Sequence, residues 1–257
     1  MKENLVIIPT YNERENIDTI LDKVLSLPVR FDILIVDDGS PDGTAEIVKN
    51  KMHLFPDQVF IEQRKGKMGL GTAYIHGFKW ALKAGYAYIY EMDADFSHNP
   101  DDLVRLYKAC ATQAELKSEN LPAEDAGNGD MSIGSRYING VNVVNWPMSR
   151  VLMSYFAGFY VRFVTGIKVQ DATAGFVCYR RNTLKTLPLD QIKFIGYAFQ
   201  VEMKFTTWKY GFKLVEVPII FTDRTKGTSK MSANIFKEAI FGVIQMKINS
   251  LFKRYQA

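Results

Sequence analysis

The sequence predicts an α/β fold, a mostly parallel sheet with helices on both faces and amphipathic helices toward its C-terminal end. Three observations predict it. Short β-branched runs alternate with stretches of helical spacing through the first half of the chain. Acidic, turn-forming clusters follow the apolar runs directly, and ligands of such sheets bind beyond the carboxyl ends of the strands. Hydrophobic residues make up 47% of 257 and charged residues 23%, ample for a large core and too apolar for a disordered chain.

Leu5–Ile8 reads as a buried strand stopped at Pro9, Ile17–Leu27 as a helix and Ile33–Val36 as a second strand. Ala45–Met52 has helical spacing, Val59–Glu62 is a short strand and Thr72–Ala84 a helix. Tyr88–Met92 is a fourth strand, followed by a helix over Asp101–Ala114. Glu115–Asp130, rich in Ala, Glu, Asn and Gly, reads as a mobile surface loop with little chemistry, and Met131–Gly134 resumes the sheet. Pro147–Thr165 is a helix with aromatic and aliphatic residues nearly all round it. Phe199–Tyr210 is helical, Lys213–Val217 and Ile219–Phe221 are extended, and Asn234–Tyr255 closes as a long amphipathic helix.

Cys110 and Cys178, far apart and in no CxxC pattern, read as buried thiols of a reducing compartment. The N-terminal run is too short and too soon interrupted for a signal peptide. A membrane span needs about 20 apolar residues. The best stretches, Met153–Val164 and Ile235–Ile248, are broken by Arg162, Lys237, Glu238 and Lys247, so no span is expected. Gly69-Leu70-Gly71 lacks the third glycine of a dinucleotide fingerprint and no P-loop pattern occurs, which argues against a dehydrogenase or a P-loop NTPase. Those glycines either let the loop approach a nucleotide or start the next helix. The net charge of +4 suits anionic partners without choosing among them.

The sharpest chemical signal is Met92-Asp93-Ala94-Asp95 at the end of the fourth strand. In extended chain, residues two apart face the same side, so both carboxylates converge on the ligand crevice and can hold a hard cation such as Mg²⁺ or Mn²⁺. Such an ion neutralises the charge of a departing diphosphate. The alternative is an acidic turn capping the next helix through Asp95 or Ser97. Pro9-Thr10-Tyr11-Asn12-Glu13 and Val36-Asp37-Asp38-Gly39-Ser40 form two more such tips. Tyr11 can stack on a base, and Glu13 and Asp38 can accept hydrogen bonds from base or ribose. Either of these two clusters alone reads better as a turn with a helix cap, but three acidic tips on successive strands exceed what capping needs. Of the three histidines only His98 lies near the DAD turn, where it reads as a support or cap.

Taken in order, PTYNE, VDDGSPDGT, KMGLGTAY, MDADFSHNP, GSRY, NWPMSR, DATAGF and DRTKGTSK resemble the dolichol-phosphate mannose synthases (polyprenyl-phosphate mannosyltransferases) of glycosyltransferase family 2. The likeness runs from Leu5 to the closing helix and leaves only Glu115–Asp130 without a counterpart. PTYNE, DDGS and DAD are shared across much of family 2, whereas NWPMSR and DRTKGTSK mark the polyprenyl-phosphate branch. The resemblance implies a GT-A (nucleotide-diphospho-sugar transferase) domain over 1–232, with an interfacial helix near 147–165, and a C-terminal amphipathic helix over 233–257. It implies that Pro9, Tyr11 and Glu13 hold the guanosine, with Val36 and Asp38 completing the pocket and Ala94 packed against the nucleotide. Asp93 and Asp95 would bind the metal. Ser97 stands where some relatives carry Gln as a further ligand, and a hydroxyl is shorter and weaker. Arg136, Arg150, Arg224 and Lys230 would collect the phosphates of donor and acceptor. Asp171 and Gly175 would orient a site arginine or shape the acceptor tunnel.

The arginines also suit the chemistry, because a diphosphate and an acceptor phosphate must approach despite like charge, and Arg presents a permanently charged planar fork. Each one alone could equally form a surface ion pair, but Arg224 and Lys230, flanking a Gly-containing polar loop between strand and helix, read as functional. A phosphate monoester has a second pKa of about 6 and arrives already anionic, so no general base is needed. The expected reaction is an inverting, metal-dependent transfer of mannose from GDP-mannose to dolichyl or polyprenyl phosphate, with Asp95, Arg136, Arg224 and Lys230 closest to the chemistry. Alternatives are a UDP-glucose-dependent polyprenyl-phosphate glucosyltransferase and a non-catalytic nucleotide-sugar-binding protein. The expected location is the cytoplasmic face of a membrane, held peripherally, with a separate anchor protein left open and nucleic acid excluded as a partner. Trp146, Tyr155, Phe156, Phe159, Tyr160 and Phe163 near Arg150 and Arg162, and Ile240, Phe241, Ile244, Ile248, Leu251 and Phe252 before Lys253 and Arg254, suit helices lying in a bilayer interface. Packing on the domain, or a dimer contact, is the other reading of the last helix.

Overall fold

The computed structural model describes residues 2–196, 198–224 and 233–255, with the backbone alone for 233–239. The first half alternates as the sequence requires: β1 Lys2–Thr10, α1 Ile17–Leu25, β2 Asp32–Asp37, α2 Thr44–Leu54, β3 Val59–Gln63, α3 Leu70–Ala84, β4 Tyr86–Glu91 and α4 Asp102–Cys110. The second half is less regular: α5 Gln113–Ser118, β5 Met131–Ser135, β6 Val143–Val144, α6 Met148–Thr165, β7 Val177–Arg180, α7 Arg181–Thr186, α8 Ala198–Lys209, β8 Leu214–Pro218, β9 Phe221–Thr222 and α9 Ala233–Phe252.

Seven strands form one sheet in the order β3-β2-β1-β4-β7-β5-β8, and β6 pairs with β9 in a separate parallel ribbon. The β1 strand is central and pairs in parallel with both β2 and β4. Its run of four buried apolar residues is what a parallel strand covered on both faces needs. Leu5 and Ile7 point into a core with α3, α7 and α8, while Val6 and Ile8 point into a second core with α1, α2 and α4. The exception to parallel order is β7, four residues inserted antiparallel between β4 and β5. No strand was expected from its sequence.

Two expectations need correction. The helix over Asp101–Ala114 ends at Cys110, because Ala111 turns extended and Thr112 caps a new helix. The stretch Glu115–Asp130 is not the structureless loop expected. It opens within α5, whose Thr112 and Glu115 form a reciprocal capping box, and Leu116 is fully buried. Gly127 and Gly129 lie against Ala109, where a Cβ on Gly127 would come within 2.4 Å of the Ala109 carbonyl oxygen. Both cysteines are buried free thiols, and Cys110 Sγ sits 3.9 Å from the Cys178 carbonyl oxygen.

The helices nearest the sheet's carboxyl end have explicit boundaries. The α6 helix starts after Pro147 and ends at Gly166, which adopts φ +79° and lets its N–H close on Arg162. At the start of α3, Gly71 packs where a Cβ would meet the Phe199 ring at 2.7 Å and the Phe194 carbonyl at 2.8 Å. The Gly-Leu-Gly run therefore serves close packing at a helix start. The described part of α9 lies against α6 and α8, with Val243 and Met246 in the core. None of the helices searched among the described residues is long and apolar enough to cross a membrane.

Candidate active site

The expected tips gather at one end of the sheet. Register brings Thr10 opposite Asp37, and Thr10 Oγ1 donates to Asp37 Oδ1 at 2.9 Å. Asp37 also accepts from the Ser40 N–H and hydroxyl at 3.0 and 2.6 Å, which makes it a turn residue. The Asn12 and Glu13 amides donate to Ser40 Oγ and Thr44 Oγ1, each at 3.0 Å. The two loops thus hold Tyr11 and Glu13 beside Asp38, with Pro9 next to the buried Val36. Lys67 Nζ lies 5.7 Å from the Tyr11 ring centroid.

Asp38 carries a partner that the sequence reading missed. Arg64 Nε donates to Asp38 Oδ1 at 2.6 Å, and its Nη1 donates to Thr72 Oγ1 at 2.8 Å. Arg64 lies just beyond β3, so it is a fourth strand-end residue turned toward the crevice. That position was the available signal. A buried, charge-assisted bond fixes the carboxylate's orientation and leaves it fewer acceptor directions for a ligand.

The DAD turn follows β4 directly. Ala94 and Asp95 are buried and Asp93 is partly exposed. Although Asp93 keeps some exposure, its surroundings desolvate the charged form, and this, then the adjacent charge of Asp95, pushes its carboxyl up to about 7, against the pull of Arg224. Asp95 Oδ1 accepts from the Ser97 N–H at 3.0 Å, and Asp95 Oδ2 faces Arg224 Nη2 at 3.0 Å. Between them Phe96 takes φ +59°, a left-handed conformation unusual for an aromatic residue. His98 stacks on Phe176 with centroids 4.9 Å apart and accepts weakly from the Asp93 N–H at 3.5 Å. Burial holds His98 at about 4, so its ring is neutral and supports the turn.

The residues fit a hard divalent cation. Two like carboxylates lie two residues apart, one of them raised by the other, and the buried Ser97 Oγ has no hydrogen-bond partner. A buried polar atom left unpaired costs about 1–3 kcal/mol. Among the described residues no group of three or more His, Cys, Asp or Glu forms a closed metal site. An ion held by Asp93 and Asp95 would keep positions open for diphosphate oxygens.

The basic residues converge from elements far apart in sequence. Arg150, in the first turn of α6, donates from Nη1 to Asp223 Oδ2 at 2.8 Å and lies 4.1 Å from the Trp146 ring centroid. Asp223 Oδ1 accepts from the Arg224 N–H at 3.1 Å, and the Arg224 side chain reaches Asp95. A continuous chain Trp146–Arg150–Asp223–Arg224–Asp95 therefore joins NWPMSR and DRTKGTSK to DAD. The β6–β9 ribbon makes this possible, because the Thr222 N–H donates to the Ser97 carbonyl at 3.2 Å and carries residues 223 and 224 onto the turn.

Arg136 is held differently. It is 6% exposed, and its Nε and Nη2 bind Asp171 in a fork of two 2.7 Å bonds, with Nη2 also reaching Thr173 Oγ1 at 2.8 Å. Its guanidinium carbon lies 5.4 to 5.7 Å from the rings of Tyr137, Phe221 and Trp146. Asp171 thus orients Arg136 through its Nε and Nη2. Lys230 lies outside the described residues. Surface hollows bounded by Lys2, Gly85 and Arg181, and by Lys2, Arg30 and Asp57, lie near the strands' amino ends, away from these groups.

Residues 5–116 match the family described as Glycosyl transferase family 2. A polyprenol monophosphomannose synthase of Mycolicibacterium smegmatis is 43% identical over 253 residues, covering 98% of this chain and 90% of its own. An undecaprenyl-phosphate mannosyltransferase of Micrococcus luteus is 42% identical over 239 residues, covering 93% of this chain and 91% of its own. A solved mannosyltransferase of Pyrobaculum calidifontis, in complex with GDP-Man and Mn2+, shares the fold with TM-score 0.52 at 14% identity, over 96% of this chain and 73% of its own. The sheet order and helix layers are those of a GT-A fold. With relatives this similar along nearly its whole length, the chain belongs to glycosyltransferase family 2, in its polyprenyl-phosphate mannosyltransferase branch.

Proposed function

We propose that this protein transfers mannose from GDP-mannose to a dolichyl or polyprenyl phosphate at a membrane surface, with inversion at the anomeric carbon and with Mg²⁺ or Mn²⁺ held by Asp93 and Asp95. The names of its relatives support the sugar and the lipid phosphate. The observation that carries the reading is the contact of Arg224 with Asp95, which joins the carboxylate turn to a line of cations ending at α6.

In this reading Tyr11, Glu13 and Asp38 hold the nucleoside, and Arg64 keeps Asp38 in place. The ion supplies charge compensation for the departing GDP. Arg224 and Arg150 draw the lipid phosphate toward the sugar face opposite the diphosphate, and Arg136 adds fixed positive charge behind them. Lys230 is proposed as a further phosphate contact. The phosphate's own charge makes it the nucleophile, and His98, held at about 4 by burial, is too weakly basic to serve as a general base.

Membrane contact is proposed through α6 and α9. Phe156, Phe159 and Phe163 are 61, 56 and 80% exposed, and Phe241, Leu251 and Phe252 are 71, 70 and 86% exposed. Tyr160 Oη donates to the Ile240 carbonyl at 2.8 Å, so the two helices that carry these residues lie side by side. Apolar bodies with nearby Arg and Lys suit the headgroup boundary.

A transfer assay tests the proposal. Purified protein is given polyprenyl phosphate in vesicles and either labelled GDP-mannose or UDP-glucose, with and without EDTA. Labelled lipid should form from GDP-mannose alone and disappear with EDTA. Product from UDP-glucose would replace the donor, undiminished product in EDTA would remove the metal, and no product from any donor would leave a binding protein.

A further inference from the structure

A lysine with no exposed surface sits beneath the site. Lys204 lies on α8, whose residues 198–207 are all buried. An ammonium there costs far more to desolvate than Leu or Met would, so its contacts need a reason. Its Nζ donates to the Ala174 carbonyl at 2.6 Å, to Gln200 Oε1 at 3.0 Å and to the Gln200 carbonyl at 3.3 Å, which uses all three of its donors. Gln200 Nε2 donates to Glu91 Oε2 at 2.5 Å, and Glu91 Oε1 accepts from Tyr179 Oη at 3.1 Å. Each polar group in this buried chain that serves the link has a partner, the condition under which such a network rigidifies a fold.

The two ends of the network lie next to the site. Glu91 is the last residue of β4, two before Asp93. Ala174 lies in the irregular segment between α6 and β7 that also supplies Asp171 and Thr173, the partners of Arg136. Glu216 holds the start of that segment, accepting from the Gln170 and Asp171 amides at 2.7 and 2.9 Å. Lys204 adds an anchor at Ala174, on the far side of the residues that bind Arg136.

We propose that Lys204, through Gln200 and Glu91, is a positioning residue for glycosyl transfer. It clamps the 171–176 segment, and with it Arg136, against the strand that carries Asp93 and Asp95. The proposal rests on the reading of that turn as the transfer site. Misplacement of a guanidinium by a fraction of an ångström weakens stabilisation that depends on exact placement, and here it would slow the chemical step more than donor binding.

A double-mutant cycle reads the dependence on Arg136. Lys204→Met should lower kcat for mannosyl transfer about tenfold or more. In an Arg136→Lys background the same change should cost less than about twofold, since the group it positions is already altered. Because Lys204→Met leaves Glu91 without its cation, the cycle is repeated with Glu91→Gln throughout, which keeps an amide for Gln200 and Tyr179 to bond. Losses that multiply, or a Lys204→Met enzyme with wild-type kcat, overturn the proposal. Hydrogen exchange separates this from failure of the functional reading: amides of residues 172–176 should exchange about tenfold faster in Lys204→Met/Glu91→Gln than in Glu91→Gln, whatever sugar is transferred. Unchanged exchange also overturns the clamp.

Discussion

At the tips of β1 and β2, Thr10, Asp37, Ser40 and Thr44 bond to one another or to the amides of residues 12 and 13 across two paired strands. On the other side of the crevice, Arg136, Arg150 and Arg224 each meet a carboxylate contributed by an irregular segment. The first region follows from strand register: pairing Pro9 with Val36 and Thr10 with Asp37 leaves the following turns nowhere else to go. The second depends on a two-residue ribbon and on loops, so each contact matters more. If the first region holds the donor and the second the acceptor, as proposed, the donor side should tolerate substitutions that leave its turns intact, and the acceptor side, built on ion pairs, should not.

The largest effect is expected where the two regions meet. Asp95→Asn keeps an oxygen for the Ser97 amide but loses the charge facing Arg224 and any bound cation. Turnover should fall at least about a thousandfold, because cation and cationic side chain lose the same partner. Thermal unfolding should shift little, which would separate a chemical loss from a folding one. An Asp95→Asn enzyme with near wild-type turnover would remove the carboxylate turn from the mechanism.

Next come paired variants that pull the two sides apart. Arg224→Gln should lower kcat/KM for polyprenyl phosphate about a hundredfold while leaving the Kd for GDP-mannose within about threefold. Arg64→Met should do the reverse, raising the KM for the donor about tenfold, since Asp38 loses the bond that orients it. Isothermal titration with the donor and acceptor-dependent kinetics measure both. Equal losses on both substrates from either variant would dissolve the division.

The same division explains what could be read from the sequence. The carboxylate pair, the acidic tips and the sheet were legible because strand ends and two-residue alternation are local patterns, and Asp93 and Asp95 need only a strand before them. Arg64 was missed although it occupies an equivalent strand end, because β3 is short and edge-placed and RKGK reads as an ordinary charged turn. The resemblance already implied that Asp171 orients a site arginine, but that the arginine is Arg136 needed the fold, since the residues lie 35 apart and one directly follows β5 while the other sits in a loop. Lys204 had a faint signal, a charge within a stretch whose surrounding residues are largely apolar, but pattern alone cannot distinguish a buried lysine from a solvated one. The capping box at Thr112 and Glu115 was legible and was passed over because composition suggested a loop.

The smallest effect concerns pH, and its sign tests whether the DAD turn is strained by its own charge. The folded state raises the Asp93 carboxyl to about 7 from an ordinary value of 3.8, and Glu91 is raised to about 7 from 4.5, in both cases chiefly by burial. A carboxyl raised on folding binds its proton more tightly in the native state. Its contribution to stability is fully present below the unfolded pKa and declines as pH rises toward about 7. Metal-free protein should therefore lose a few degrees of Tm between pH 5 and pH 8 through these groups, and Asp93→Asn should flatten part of that slope. Mn²⁺ should raise Tm more at pH 8 than at pH 5, because at low pH it must displace a proton from Asp93. A Tm that climbs from pH 5 to pH 8 equally in wild type and Asp93→Asn, with a Mn²⁺ increment independent of pH, would show that Asp93 is not the group under strain.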